Sequence, residues 1–147
     1  MKRIIFIILT IVIAGGIAVA EGQQEAADKT MVLRLAETHP ADYPTTRGDK
    51  EFARLVEERT DGRIKIEVYH SKQLGEEKAA IEQVQFGAID FTRVSIAPVA
   101  DFYPPLNALQ MPYVYNSGDH MWKVLESSIG EEGLTTIEDC NFVGLCY

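Results

Sequence analysis

Residues 63–69 read RIKIEVY, and charged and apolar side chains alternate along them. Because successive side chains of a strand point to opposite faces of its sheet, this alternation predicts a β-strand with one buried and one wet face. The preceding residues 45–60 carry apolar side chains at helical spacing, and Asp61-Gly62 predicts the end of that helix, since glycine readily adopts the left-handed conformation found there. A helix followed at once by a strand is typical of an α/β protein.

The same kinds of element continue in both directions. Residues 31–36 (MVLRLA) predict a buried first strand, and residues 88–95 (AIDFTRVS) predict a third one. Between them, residues 76–86 predict a second helix that ends at Gly87. Strands that alternate with helices at this spacing predict right-handed crossovers. The fold class is therefore α/β, with a mostly parallel sheet.

The pattern loosens beyond residue 95. Prolines at positions 98, 104, 105 and 112 interrupt an aromatic segment, which predicts a packed connection. Ser117 or Asp119 predicts the N-cap of a third helix that reaches Ile129, with Trp122, Leu125 and Ile129 facing inward. Residues 141–147 predict a further strand. Because a domain rarely ends on an apolar strand, the sequence also predicts that the lobe is truncated at Tyr147, before a second lobe.

The N-terminus predicts export. A basic Met1-Lys2-Arg3 head precedes an apolar run that ends in the small residues Ala18-Val19-Ala20, the layout of a cleavable signal peptide over residues 1–20. A membrane anchor is the rival interpretation, but the run is shorter than the ~20 residues a spanning helix needs. We expect a periplasmic chain with a flexible leader over residues 21–30 and the lobe over residues 31–147. Cleavage would change the net charge from −8 to −10, because it removes two basic residues and no acidic one.

Composition and motifs exclude several classes of protein. A net charge of −8 argues against a nucleic-acid partner, because phosphate binding needs a basic face. Two cysteines make neither a disulfide scaffold nor a four-thiolate zinc site, and three histidines at wide spacing predict no metal centre. No phosphate loop, GxGxxG motif or nucleophile elbow is found in the sequence. The sequence therefore predicts no enzyme and no cofactor.

Polar residues follow each of the three predicted strands. They lie at positions 37–39, 70–77 and 95–96. In an open parallel sheet, ligands bind beyond the carboxyl ends of the strands, where such loops converge. These residues are therefore candidates for one cleft, although solvated loops are the simpler interpretation of any one of them.

The chain resembles the solute-binding subunit of tripartite ATP-independent periplasmic (TRAP) transporters, of the dicarboxylate-binding type, from Leu33 to Trp122. The matching segments are residues 52–64 (FARLVEERTDGRI), 71–77 (SKQLGEE), 82–91 (EQVQFGAIDF) and 109–114 (LQMPYV). The resemblance implies a periplasmic-binding-protein-like lobe of a two-lobed receptor. Such a receptor closes on a small organic acid and delivers it to a membrane permease, needing no cofactor and no metal.

The resemblance also implies site residues. Carried over by position, ligand contacts would come from Thr38, His39, Glu77 and Ser95, with Tyr103 as a looser candidate near the mouth of the cleft. Glu77 would accept hydrogen bonds from a ligand hydroxyl or amine. In the family an arginine of the second lobe holds the ligand carboxylate, a bidentate role that suits arginine. We therefore expect residues 1–147 alone to bind organic acids weakly or not at all.

Three alternatives stay open at this point. An exported sensor lobe would use the same fold without a permease. A truncated product would have no function. An exported hydrolase would need a nucleophile and a base that the sequence does not display.

Overall fold

The structure is a computed structural model that describes residues 30–147. The predicted signal peptide, and the leader up to residue 29, lie outside these residues. Within them, every helix is too short or too polar to cross a membrane.

A small parallel sheet carries the fold. Strands β1 (Met31–Glu37), β2 (Ile64–Tyr69) and β3 (Phe91–Arg93) are arranged in the order β2-β1-β3, and β1 pairs in parallel with both neighbours. The predicted α/β class and parallel sheet are confirmed. The prediction of a wholly buried first strand is wrong, because Met31 and Val32 are exposed. The reason is that β3 pairs only with the last three residues of β1, from Leu35 onward.

Strand β3 is shorter than the predicted residues 88–95. The residues before it are held by other bonds, since Asp90 accepts the Arg34 backbone N–H through its carboxylate at 2.7 Å. The Asp90 backbone N–H donates in turn to the Arg34 carbonyl at 3.1 Å. The residues after it lead into helix α3 (Ile96–Ala100).

One crossover helix covers each face of the sheet. Helix α1 (Pro44–Arg59) packs Ala53 against Leu35 and Ile66. Helix α2 (Glu77–Gln85) packs Ala80 on the opposite face, against Ala36 and Ile89. Because Leu35 and Ala36 are adjacent on β1, their side chains point to opposite faces, and the two helices are placed accordingly.

Both crossover helices end where the sequence predicts. Gly62 has φ +75° and donates its N–H to the Glu57 carbonyl at 2.9 Å, which closes the last turn of α1. Gly87, at φ +70°, donates to the Val84 carbonyl at 2.9 Å after α2. The chain is thereby turned back into the next strand within a few residues.

The second part of the chain is helical. Its elements are a 3₁₀ helix (Pro104–Gln110), α4 (Gly118–Leu125), α5 (Ser128–Thr136) and a 3₁₀ helix (Ile137–Cys140). Ser117 caps α4 as predicted, but the predicted single helix to Ile129 is wrong. It ends at Leu125 because the Ser127 hydroxyl accepts the Ile129 N–H at 3.2 Å and begins a new helix. Trp122 and Ile129 are exposed, so their predicted inward orientation is also wrong.

Residues 141–147 form no strand, contrary to the prediction. Asn141 turns the chain at φ +63°. Phe142 then packs against the buried cluster of Ala100, Leu106 and Ile137, and the Tyr147 hydroxyl donates to the Gly130 carbonyl at 2.9 Å. The segment therefore packs on the C-terminal helices instead of pairing with the sheet. Burial of Leu106 agrees with the packed connection that the prolines predict.

Candidate functional site

Glu37 organises the carboxyl end of the central strand. Its side chain is completely buried. One carboxylate oxygen accepts the His39 backbone N–H at 2.9 Å and lies 2.8 Å from His39 Nδ1, while the other accepts the Thr45 hydroxyl at 3.2 Å. The Thr38 hydroxyl donates to the first oxygen at 3.5 Å. These bonds fix the loop after β1 to the start of α1.

His39 is fixed on two sides. Its ring stacks on Tyr43, with centroids 4.2 Å apart and planes 11° from parallel. An ionised Glu37 only accepts hydrogen bonds, so the 2.8 Å contact requires the proton on His39 Nδ1. In the neutral ring Nε2 is then the nitrogen left to accept a hydrogen bond.

Arg93 lies between two carboxylates. Its Nε is 3.8 Å from Glu37 Oε2, and its Nη1 is 3.9 Å from Glu77 Oε1. The same Nη1 lies 3.4 Å from His39 Nδ1. The side chain is about one-third exposed, so the guanidinium is partly open to solvent while its charge is shared with two acids.

Glu77 and Ser95 join the second helix to the third strand. Glu77 Oε1 accepts both the Ser95 backbone N–H at 2.8 Å and the Ser95 hydroxyl at 2.9 Å. The Glu77 side chain is 23% exposed, and its second oxygen accepts no hydrogen bond from residues 30–147. Glu77 therefore keeps one oxygen for an external donor.

The loop after β2 is tied to the end of β1. Ser71 donates its backbone N–H to the His39 carbonyl at 2.8 Å, and Lys72 donates to the Glu37 carbonyl at 3.3 Å. Both residues have positive φ, at +55° and +62°, which aims their N–H groups toward β1. The three polar segments that the sequence places after the strands thus meet at one edge of the sheet.

Asp49 faces Glu37 from α1. It follows Thr45 by one helical turn, so both residues lie on the helix face that contacts the end of β1. Burial raises the pKa of Asp49 to about 6, and a hydrogen bond with Glu37 and the Glu37 charge act in the same direction. Burial also acts to raise the pKa of Glu37, but the His39 hydrogen bonds and the Arg93 charge lower it overall.

The structure brings four of the five predicted site residues into this network. Thr38 and His39 contact Glu37, Glu77 contacts Ser95, and Arg93 links the two groups. Tyr103 lies elsewhere, packed against the cluster of Ala100, Leu106 and Ile137. In the part of the chain that the structure describes, no three His, Cys, Asp or Glu side chains are arranged to hold a metal ion.

Arg93 and Asp49 are the residues that sequence reasoning missed as members of the site. Arg93 offered a signal, since an arginine within a predicted strand that packs between helices needs a partner. Asp49 offered a weaker one, because it precedes Ala53 by one turn and so shares the buried stripe of α1. Assigning Arg93 to Glu37 required knowing the register of β1 against β3, and assigning Asp49 required knowing how α1 packs on the sheet.

Comparisons with known proteins identify relatives of this chain. Residues 35–147 match the bacterial extracellular solute-binding protein family 7, DctP. A solute-binding protein of Chromohalobacter salexigens is 34% identical over 109 residues, which cover 74% of this chain and 32% of that protein. The chain therefore spans about a third of the length of this curated relative.

Solved structures give the same result. A TRAP periplasmic solute-binding protein from Xanthobacter autotrophicus Py2, with bound β-D-galacturonate, is 35% identical with a TM-score of 0.75, over 78% of this chain and 38% of that one. One from Pseudomonas putida F1, with bound D-glucuronate, is 37% identical with a TM-score of 0.71, over 74% and 36%. The resemblance to TRAP solute-binding proteins is confirmed. The chain belongs to the bacterial extracellular solute-binding protein family 7, a family of binding proteins.

Proposed function

We propose that this chain is the ligand-binding lobe, over residues 31–147, of an extracytoplasmic receptor. The receptor captures a small sugar acid in the periplasm and delivers it to a TRAP permease, without catalysing a reaction. The proposal rests on one observation: Arg93 lies between the carboxylates of Glu37 and Glu77, at the edge of the sheet where the strands end. Family membership supports it.

The chemistry of the network favours a ligand that has both a carboxylate and hydroxyl groups. Arg93 supplies N–H donors for an anion, and the second oxygen of Glu77 accepts from a hydroxyl. Within this lobe, a dicarboxylate would bring two negative charges to two acids and one arginine, which is less favourable than a single carboxylate. The uronates bound to the two solved relatives combine one carboxylate with several hydroxyls.

Roles follow for the predicted residues. Glu77 binds a ligand hydroxyl, and Ser95 holds Glu77 in position through its two hydrogen bonds. Thr38 and His39 line the same edge beside Glu37. Tyr103 is proposed only as a residue of the outer wall, because its packing partners belong to the C-terminal cluster.

The test is calorimetry with D-glucuronate and succinate, on the full chain and on a chimera. In the chimera, residues 31–95 replace the matching segment of the Pseudomonas putida receptor, so the rest of the ligand site is supplied. We expect the chimera to bind D-glucuronate more tightly than succinate. Equal or tighter binding of succinate would contradict the proposed ligand class, and loss of all binding by a folded chimera would contradict the proposed site.

Variants of the chimera assign the residues. Each of Glu77→Ala and Arg93→Met removes a charge-assisted hydrogen bond, so we expect D-glucuronate binding to weaken about 10- to 100-fold. Glu58→Ala is the matched control, because among residues 30–147 the Glu58 side chain pairs only with Arg54, on the exposed face of α1. It should leave the dissociation constant unchanged.

A further inference from the structure

Two carboxyl groups face each other beneath the candidate site. The Glu37 side chain is completely buried, and Asp49 lies one helical turn after Thr45, whose hydroxyl donates to Glu37 Oε2 at 3.2 Å. Asp49 Oδ2 is itself buried and finds no donor among residues 30–147. A buried carboxylate oxygen without a donor is costly, so this atom requires an explanation.

A proton on one of the two carboxyl groups provides the missing hydrogen-bond donor. Two ionised carboxylates only accept hydrogen bonds, whereas a protonated carboxyl donates one to its neighbour. Glu37 already accepts from the His39 backbone and the Thr45 hydroxyl, which favour its ionised form. Asp49 has no such donor and is the natural holder of the proton.

We propose that Asp49 and Glu37 share one proton, and that this proton keeps Arg93 available to an anionic ligand. With the proton in place the pair carries one negative charge. Without it, the pair carries two, and Arg93 is drawn more strongly to the carboxyl pair. The ligand part of this proposal rests on the proposed function.

The other charged groups around the pair are few. Arg93 approaches the pair from β3, and His39 approaches it from the loop after β1. The charges of both residues act to lower the pKa of Asp49. From α2, Glu77 contacts Arg93. In the loop after β2, the Lys72 ammonium pairs with Glu76 at 2.8 Å. On α1, the Lys50 ammonium donates to the Ala41 carbonyl at 3.0 Å. Burial raises the pKa of Asp49 to about 6, so the pair holds the proton below about pH 6 and releases it above.

The first measurement needs no ligand. Carboxyl ¹³C NMR of the full 147-residue chain follows Asp49 as the pH is changed. We expect a midpoint near pH 6, and Glu37→Gln should lower it, because the amide donates to Asp49 and carries no charge. A midpoint at the ordinary aspartate value in the unmodified chain would overturn the proposal, and this result does not depend on the variant folding.

The second measurement is the pH profile of D-glucuronate binding by the chimera, which carries Glu37, Asp49 and Arg93 together with the rest of the ligand site. We expect the affinity to fall by up to about tenfold as Asp49 loses its proton, because an added negative charge beside Arg93 competes with the ligand. Asp49→Asn cannot ionise and should flatten the profile. A profile unchanged by Asp49→Asn would overturn the ligand part of the proposal.

The two measurements separate the two proposals. If D-glucuronate fails to bind the folded chimera at every pH, the proposed function and the ligand part both fail. The NMR midpoint still decides whether the two carboxyl groups share a proton.

Discussion

Glu37 shows how a single acidic residue is accommodated in a small core. Burying a carboxylate costs free energy unless hydrogen bonds replace its water. Here the replacements come from the His39 backbone, the His39 ring and the Thr45 hydroxyl, and Arg93 supplies an opposite charge. Glu37 itself is turned away from solvent, so its role is to position the residues that are partly exposed.

Substituting Glu37 should therefore destabilise the fold. Glu37→Ala leaves the His39 N–H and the Thr45 hydroxyl without their acceptor, and we expect a loss of about 2 kcal/mol in the free energy of unfolding. Urea denaturation followed by circular dichroism measures it. Glu58→Ala, which breaks only an exposed ion pair with Arg54, should stay within about 0.5 kcal/mol of the unmodified chain. Similar losses for both variants would mean that Glu37 has no special role.

Strand order explains which site residues the sequence could predict. Thr38, His39, Glu77 and Ser95 stand next to strand ends, and a parallel sheet gathers strand ends at one edge. Asp49 lies within a helix, and its proximity to Glu37 depends on how α1 packs on the sheet. The position of Tyr103 depends on the tertiary packing of the C-terminal part, and the spacing of residues along the sequence does not predict that packing.

At the scale of elements, the turn after α1 depends on backbone conformation. Gly62 has φ +75°, and a Cβ built there would meet no atom within 4 Å. Replacing it therefore tests conformation without steric clash. Gly48 lies inside α1 with equally open surroundings and an ordinary φ, which makes it the matched control.

Replacing the two glycines by alanine should change the free energy of unfolding in opposite directions. Gly62→Ala forces a side chain into the left-handed region, and we expect a loss of about 1 kcal/mol in the free energy of unfolding. Gly48→Ala should add about 0.5–1 kcal/mol, because alanine is the better helix former. Thermal and urea unfolding of both variants measure the difference. Stabilisation by Gly62→Ala would show that the turn does not need its positive φ.

In the C-terminal part of the chain, the start of α5 is set by an N-cap at Ser127 that the apolar pattern of the sequence does not reveal. Trp122, Leu125 and Ile129 recur at helical spacing, so the pattern favoured one long helix. The Ser127 hydroxyl instead accepts the Ile129 N–H and starts α5. Local hydrogen bonding overrode periodicity here, because an N-cap fixes a helix start more firmly than a stripe does.

On the scale of the whole molecule, the described residues contain two packing regions. The first is the sheet with its two crossover helices, buried around Leu35, Ile66 and Ala80. The second is the cluster of Ala100, Leu106 and Ile137. A hydrogen bond from Gln85 Nε2 to the Cys140 carbonyl, at 3.0 Å, joins them. The first region was predictable from strand and helix periods; the second was not, since short helices and 3₁₀ turns leave little periodicity.

Deuterium exchange should distinguish the two regions. We expect Leu106→Ala to speed exchange mainly over residues 96–147, because it empties the second cluster. Ile66→Ala should speed exchange over both regions, and we expect it to cost about 2–4 kcal/mol by opening a cavity between α1 and the sheet. Uniform acceleration by Leu106→Ala would mean that the two regions unfold together.

The order β2-β1-β3 has a consequence for self-association. A sheet edge with unpaired N–H and C=O groups invites another chain to add a strand, which is how many aggregates begin. Among residues 30–147, β2 and β3 are the outer strands. Strand β3 has three residues, too few to template a lasting partner, and β2 carries Lys65 and Glu67 between its apolar residues. A strand that paired with β2 would have to desolvate Lys65 and Glu67, and β3 is too short to pair stably. Both edge strands of the sheet therefore disfavour the addition of another chain.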